Sequence, residues 1–304
     1  MSGFARCIPD ENTFFSEHWQ AGPTVLRPSD PPLDVLTVAD VDEILDSGLL
    51  HLPYIELVHE HSRVAAERFC GSRIVLGKRI DGYVDASAVR SLVQEEGATL
   101  LLRYVDQWNK KVRGLTEEIA DRFNRLVEAF YFVTPPGTQG RPIHRDDADV
   151  LAIQISGEKK WHVHSGPADG YWEPGRVEGD PGPVALETVL RAGEVLYVPR
   201  GFAHYATACG STPSVHLSLT IREPGTANLY SLVQALLMQS GTVPQRPLTD
   251  AELNESVECI MSDAEQTLMA VTPEELVSSA RMLMRGERTR NPHRTLADWA
   301  VNTQ

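Results

Sequence analysis

The spacing of hydrophobic positions changes character near residue 131, from a helical period to short runs broken by Pro and Gly. In the first part, residues 37–47 place Val41, Ile44 and Leu45 on one face, begin with Thr37 and Asp40 at capping-box spacing and stop at Gly48. Residues 85–96 repeat that logic with Val89, Leu92 and Val93 inward. The strongest helical pattern is 116–130, where Ile119, Phe123, Leu126 and Val127 recur at i, i+4, i+7 and i+8. Residues 100–104 read as a short strand, and His59-Glu60-His61 as part of a helix. Residues 1 to about 35 carry Phe14, Phe15, Trp19 and several prolines without a period, so an extended arm lying on the main body is expected.

From residue 131 the runs are 131–134, 149–155, 160–164, 195–198, 204–208 and 215–221. Short strands separated by turn residues predict an all-β sandwich or barrel, of which the jelly roll is one closed form. Residues 165–183 are too polar and too rich in Gly and Pro for a core turn and predict a surface loop near the mouth of that body. After Pro224 the helical period returns at 228–240, at a segment capped by Thr249 with Glu252, and at Thr272-Pro273-Glu274-Glu275. These helices carry more apolar residues than isolated surface helices need, so they pack on one another or on a second copy. The division expected is 1–130 as arm and flanking helices, 131–224 as the β core, and 225–304 as a helical region.

Composition narrows the class. A hydrophobic fraction of 42% and a charged fraction of 23% over 304 residues describe a soluble globular protein. The first residues lack the basic-then-apolar order of a secretory leader, and no apolar run is long enough to cross a bilayer, so a cytoplasmic protein without membrane contact is expected. Cys7, Cys70, Cys209 and Cys259 form no C-x-x-C pair, which predicts reduced thiols rather than a disulfide framework or zinc knuckle. A net charge of −14 with no basic stripe argues against nucleic acid. It suits a cationic substrate, although acidity commonly serves solubility alone.

The candidate chemistry lies in His144-Arg145-Asp146 and in Pro199-Arg200-Gly201-Phe202-Ala203-His204. On a strand, i and i+2 share a face, so His144 and Asp146 can chelate one ion while Arg145 and Asp147 point away. A strand and tight turn before His204 would return its ring beside them. An H-x-D alone is commonplace on surfaces. With the remote His it forms a two-His, one-carboxylate set, which leaves positions open and suits ferrous iron, whereas zinc calls for a fourth ligand and a hydrolytic base. Lys159 and Lys160 adjoin the same body, and alternation sends one inward; Lys159 is the residue expected to meet the far carboxylate of a 2-oxo diacid. His162 and His164 alternate on a strand but have no third partner at matching spacing, and His216 borders the pocket. Tyr197, Tyr205 and Trp161 read as packing, and Arg141 and Arg145 as the first candidates for substrate contacts.

These motifs, with Thr134-Pro135-Pro136-Gly137-Thr138-Gln139-Gly140 and Gly157-Glu158-Lys159-Lys160-Trp161, resemble the JmjC-domain 2-oxoglutarate oxygenases, and among them the cupin-like ribosomal oxygenases. The resemblance implies a mainly β protein with helical flanks, a double-stranded β-helix of the cupin/JmjC type followed by a C-terminal helical region. It implies Fe(II) held by His144, Asp146 and His204, 2-oxoglutarate anchored by Lys159, dioxygen as oxidant, and hydroxylation of an unactivated carbon in a protein or peptide side chain. It also implies a homodimer formed through the C-terminal helices. Phe132 departs from the pattern, standing where relatives carry a Tyr hydroxyl that helps hold the co-substrate, and the region after Pro224 is short. Hydroxylation of a free amino acid or other small metabolite, and a metal-free cupin-like binding protein, are the alternatives.

Overall fold

The computed structural model describes residues 2–238, 243 and 245–286. The chain divides into two compact units, 1–222 and 223–304. In the first unit the strands are β1 (Thr24–Leu26), β2 (Ile55–His59), β3 (Ser62–Arg63), β4 (Cys70–Val75), β5 (Lys78–Val84), β6 (Thr99–Leu102), β7 (Leu126–Thr134) and β8 (His144–Arg145). There follow β9 (Asp149–Ser156), β10 (Glu158–His164), β11 (Gly175–Arg176), β12 (Val184–Arg191), β13 (Val195–Val198), β14 (His204–Cys209) and β15 (Ser214–Arg222). An eight-stranded sheet runs β1-β13-β9-β15-β7-β6-β2-β3, and a five-stranded sheet runs β11-β8-β14-β10-β12. The fold is a jelly roll with helical flanks.

Alternation in β9 shows how the layers are held. Val150 and Ala152 join Trp161, Val163, Leu190, Leu196, Val198 and Ala206 in a cluster drawn from both sheets. Leu151, Ile153 and Ile155 face the opposite way, into a core shared with Phe4, Phe14, Val41, Val89, Val112 and Ile119 from the N-terminal segments. The centre of the larger sheet is therefore buried on both faces, which is why β9 reads as a nearly continuous apolar run, whereas β15 alternates Val215, Leu217, Leu219 and Ile221 toward that core with His216, Ser218 and Thr220 toward the cavity.

Several expected elements form where the pattern put them. Helix Val38–Asp46 has the full Thr37–Asp40 capping box, helix Ala86–Gln94 is capped by Asp85, and strand Val195–Val198 matches its predicted limits. The 116–130 helix is corrected: it spans Lys110–Phe123 and ends at Asn124, which takes the left-handed conformation (φ 53°), a common C-terminal stop. Leu126 and Val127 belong instead to β7, where Val127, Ala129 and Tyr131 alternate into the core. His59-Glu60-His61 is not helical either. Glu60 and His61 both have positive φ and make the two-residue turn between β2 and β3, which pair at His59 and Ser62.

The first 35 residues form short helical segments, Gly3–Cys7, Glu11–Thr13 and Phe14–His18, rather than an extended arm. They are fixed by aromatic contacts, Trp19 lying 4.6 Å from Phe123 and Phe14 5.0 Å from Tyr197 between ring centroids. The Tyr197 hydroxyl donates to Asp149 Oδ1 at 2.6 Å and accepts from the Gln20 amide at 2.9 Å. Then β1 pairs with β13.

The second unit contains helices Thr226–Leu237, Asp250–Met269 and Pro273–Gly286. The expected 228–240 helix runs Thr226–Leu237, and residues 239 and 240 lie outside the described residues. Thr249 and Glu252 complete a capping box, and Arg281 pairs with Glu223 at 3.0 Å.

The turn from β9 to β10, which delivers Lys159, depends on Gly157. Its φ is 65°, and a Cβ there would lie 2.2 Å from the Pro213 carbonyl oxygen. Gly157→Ala is expected to destabilise the protein by at least about 2 kcal/mol through strain and collision with backbone, measured as a lowered denaturation midpoint.

Candidate functional site

β8 contains only His144 and Arg145, yet it lies between β11 and β14, and His144 is the direct cross-strand partner of His204. That pairing sets the two rings 4.4 Å apart between centroids. Asp146 follows just beyond the strand, its carbonyl accepting from the Gly201 amide at 3.1 Å, which ties it to the turn before β14. The i, i+2 geometry expected of one continuous strand is thus completed by a turn contact. His144 Nε2 lies 3.6 Å from Asp146 Oδ1, and His204 Nε2 lies 3.5 Å from Asp146 Oδ2. One donor atom from each of the three falls within 4.8 Å of the others.

Each imidazole is held from behind by the carbonyl two residues earlier: His144 Nδ1 is 2.8 Å from Pro142 O, and His204 Nδ1 is 3.0 Å from Phe202 O. A carbonyl only accepts, so Nδ1 of each ring carries a hydrogen, and the Nε2 atoms are left facing Asp146. Burial, reinforced by His204, pushes the His144 imidazole down to about 3, which keeps it neutral near pH 7. Burial alone would raise the Asp146 carboxyl, but His144, His204, Arg141 and Arg222 outweigh it and hold the acid below its ordinary value. The two Nε2 atoms and the Asp146 carboxylate converge, and this donor set fits a divalent cation.

The three residues line a cavity of about 310 Å³ that also contains Lys159. Lys159 is 2% exposed. Its Nζ donates to Thr134 Oγ1 at 3.0 Å and lies 3.5 Å from His216 Nδ1 and 5.9 Å from the centroids of Phe132 and Trp161. Burial lowers its ammonium from the ordinary 10.5 to about 7. Lys160 points the other way and pairs with Glu187 at 2.6 Å, as alternation requires. An amine buried among a hydroxyl and rings has room for an anionic partner in the cavity.

Phe132 stacks on His216 at 4.6 Å and 2°, so an imidazole fills the space beside the position that lacks a Tyr hydroxyl, and Thr134 supplies the hydroxyl next to Lys159. His216 does border the cavity, and so do Trp161 and Tyr205, which were expected only to pack. His162 and His164 lie on the other face of β10. His162 stacks on Tyr205 at 4.6 Å and lies 3.6 Å from Glu187, while His164 Nδ1 meets Gly182 O at 2.8 Å.

Two expectations about the mouth are corrected. Residues 165–183 place β11 against β8 but do not line the cavity. Arg145 bonds to the carbonyls of Gly201 and Pro181 and is likewise absent from the wall, whereas Arg141 lines it. The missing wall comes from strands and strand ends that chain order disguises: Arg63 on β3, Arg103 and Tyr104 just after β6, Phe130 on β7 and Arg222 at the end of β15. Only the apolar run before Arg103 hinted at any of these.

Residues 107–229 match the JmjC domain family. The chain is 27% identical to ribosomal oxygenase 1 of Gallus gallus over 225 residues, 71% of this chain and 35% of that protein. It is 27% identical to ribosomal oxygenase 2 of Rattus norvegicus over 216 residues, 68% of this chain and 44% of that protein. It thus spans less than half the length of these curated relatives. Among solved structures, Escherichia coli YcfD superimposes with a TM-score of 0.58 at 19% identity, covering 88% of this chain and 69% of that one. The complex of YcfD, a ribosomal oxygenase, with cobalt and 2-oxoglutarate gives a TM-score of 0.53 at 18% identity, covering 87% and 67%. At these identities the likeness establishes the shared fold.

Lys159 makes a prediction about stability. Between about pH 7 and 10.5 the unfolded chain keeps the Lys159 proton that the folded one has lost, so stability rises with pH across that window, and the full cost is present below it. Lys159→Met should therefore be more stable than the parent at pH 6, with the difference shrinking toward pH 10 in paired denaturant titrations of metal-free protein.

Proposed function

We propose, for a chain whose residues 107–229 form a JmjC domain, an Fe(II)- and 2-oxoglutarate-dependent oxygenase that hydroxylates an unactivated carbon of an amino-acid side chain in a protein or peptide. The observation that carries this reading is the presence in one cavity of the convergent His144, Asp146 and His204 donors and the buried amine of Lys159. The resemblance to ribosomal oxygenases supports the protein or peptide substrate.

His144, Asp146 and His204 are the metal ligands in this reading, and Lys159 takes the far carboxylate of 2-oxoglutarate. When bound, iron and 2-oxoglutarate would supply the oxidation: 2-oxoglutarate would lose one carbon as carbon dioxide, with one atom of dioxygen going to the succinate and the other to a C–H bond of the substrate. The chain does the rest. The carbonyls of Pro142 and Phe202 fix both imidazole tautomers, and Thr134 orients Lys159. Phe132, Trp161 and His216 wall the inner end and keep water from it. A carboxylate beside Lys159 favours the ammonium and offsets the cost of its burial.

A free amino acid or similar small metabolite is the second reading, favoured by a cavity whose 310 Å³ lies at the small end of ligand sites. We assign residues 1–130 to support and part of the mouth, 131–224 to catalysis, and 225–304 to pairing of two copies. Exposed Leu253, Val257, Ile260 and Met261 on helix Asp250–Met269 support the pairing. Free cysteines accord with a cytoplasmic setting. Among the described residues no helix is long and apolar enough to cross a membrane.

Anaerobic addition of Fe(II) and 2-oxoglutarate is expected to give a visible charge-transfer band, and air is expected to give succinate. His144→Ala should lose both signals, whereas His162→Ala, altered outside the cavity, should keep the band. Parent protein with neither band nor succinate would sink the oxygenase reading in favour of a binding protein. Incubation with extract from cells lacking the enzyme, followed by mass spectrometry for one added oxygen atom, separates peptide from metabolite.

A further inference from the structure

On a chain of net charge −14, the wall of this cavity is basic. Arg63, Arg103, Arg141 and Arg222 line it together with Lys159, and among the described residues Asp146 is its only acidic member. The counter-charges stand behind the wall and do not balance it. Glu56 serves two arginines, lying 3.3 Å from Arg63 and also pairing with Arg103, while Glu128 pairs with Arg222 at 2.9 Å. Arg141 Nη1 lies 3.8 Å from Asp146 Oδ1, a carboxylate that the reading above commits to a dication. The side chains of Arg63 and Arg141 are 75% and 44% exposed. Their charge therefore faces whatever enters the mouth.

The same wall also carries aromatic side chains, Tyr104 and Phe130 among them. Tyr104 has φ 50°, a left-handed conformation costly for a residue with a Cβ, and its ring lies 5.2 Å from that of Phe130. A cationic side chain entering here would meet like charge, so the expectation that an acidic chain suits a cationic substrate does not extend to its cavity. A carboxylate would meet planar donors suited to bidentate contact, with its carbon skeleton against the rings.

Resting on the oxygenase reading, we infer that the substrate is carboxylate-bearing: an Asp or Glu side chain within a peptide, or a free acidic amino acid, bound by the surplus guanidinium charge of Arg63, Arg103 and Arg141. Lys159 serves the co-substrate, so the two acids have separate cations.

The test uses full-length protein loaded with Co(II) and 2-oxoglutarate, and the anisotropy of labelled pentapeptides centred on Asp, Glu, Asn, Gln, Lys or Arg. Acid-centred peptides are expected to bind about tenfold more tightly than their amide counterparts, the scale of one charge-assisted hydrogen bond. The advantage should shrink with added salt. Replacing the exposed pair, Arg63→Gln with Arg141→Gln, should abolish the preference while the denaturation midpoint stays put. Competition by free aspartate or glutamate identifies a small acid as the source, and its absence identifies a peptide; either supports the inference. Amide or cationic peptides binding as tightly as the acidic ones overturn it. Failure of 2-oxoglutarate itself to saturate the Co(II)-loaded protein, followed separately, would instead overturn the oxygenase reading, and acid preference is then read on the metal-free protein.

Discussion

Burial of the centre of the eight-stranded sheet, β13, β9 and β15, on both faces is the constraint from which the site follows. One face of β9 packs on the five-stranded sheet through Val150 and Ala152, and the other packs on the N-terminal segments through Leu151 and Ile153. A sheet so held admits little slippage, because a one-residue shift would send each set of side chains to the wrong layer. Its register therefore fixes the reach of the turns at its ends. Gly157 turns β9 into β10 and sends Lys159 inward. The turn after β13 starts β14 at His204, where a single cross-strand pair brings His144 alongside. Two residues of strand suffice at β8 because β14, its partner at His204, is already held by β10.

Charge burial at the inner end explains the tension in this cavity. Neutral His144 and His216 are what an apolar surrounding favours, and burial pushes both imidazoles down. Lys159 is the member of the group that the same surroundings make costly, since among the described residues its hydrogen-bonding neighbours are Thr134 and His216. A buried amine kept at some expense to stability is the expected signature of a binding group rather than a packing group.

Much of this was legible in the chain because its local rules are strict. Capping at Thr37, alternation at Lys159 and Lys160, and the return of His204 after a Pro-Gly turn each rest on chemistry within a few residues. The misreadings occurred where one pattern satisfies two structures. Ile119, Phe123, Leu126 and Val127 fit a helical face, yet Asn124 turns the chain and Val127 opens a strand alternation. The two-residue turn at Glu60 and His61 carries neither Gly nor Asn, so nothing announced it. The mouth was opaque for a different reason: Arg63 and Arg103 reach it only because β6, β2 and β3 extend the larger sheet beyond β7, a pairing between distant segments that no local period encodes.

The opposite signs of the whole chain and its cavity reflect two length scales. At physiological ionic strength charges are screened beyond about 8 Å, so carboxylates spread over the surface govern solubility and long-range approach but contribute little inside a cleft. Within the cleft the dielectric is lower and the nearest groups dominate. There Glu56 is divided between Arg63 and Arg103, and Arg141 looks toward Asp146, the carboxylate that the proposed reading assigns to a metal. Net charge, read from the sequence, points to a cationic ligand; the placement of four arginines in the cavity wall points to an anionic one, and for a group bound in contact the placement decides.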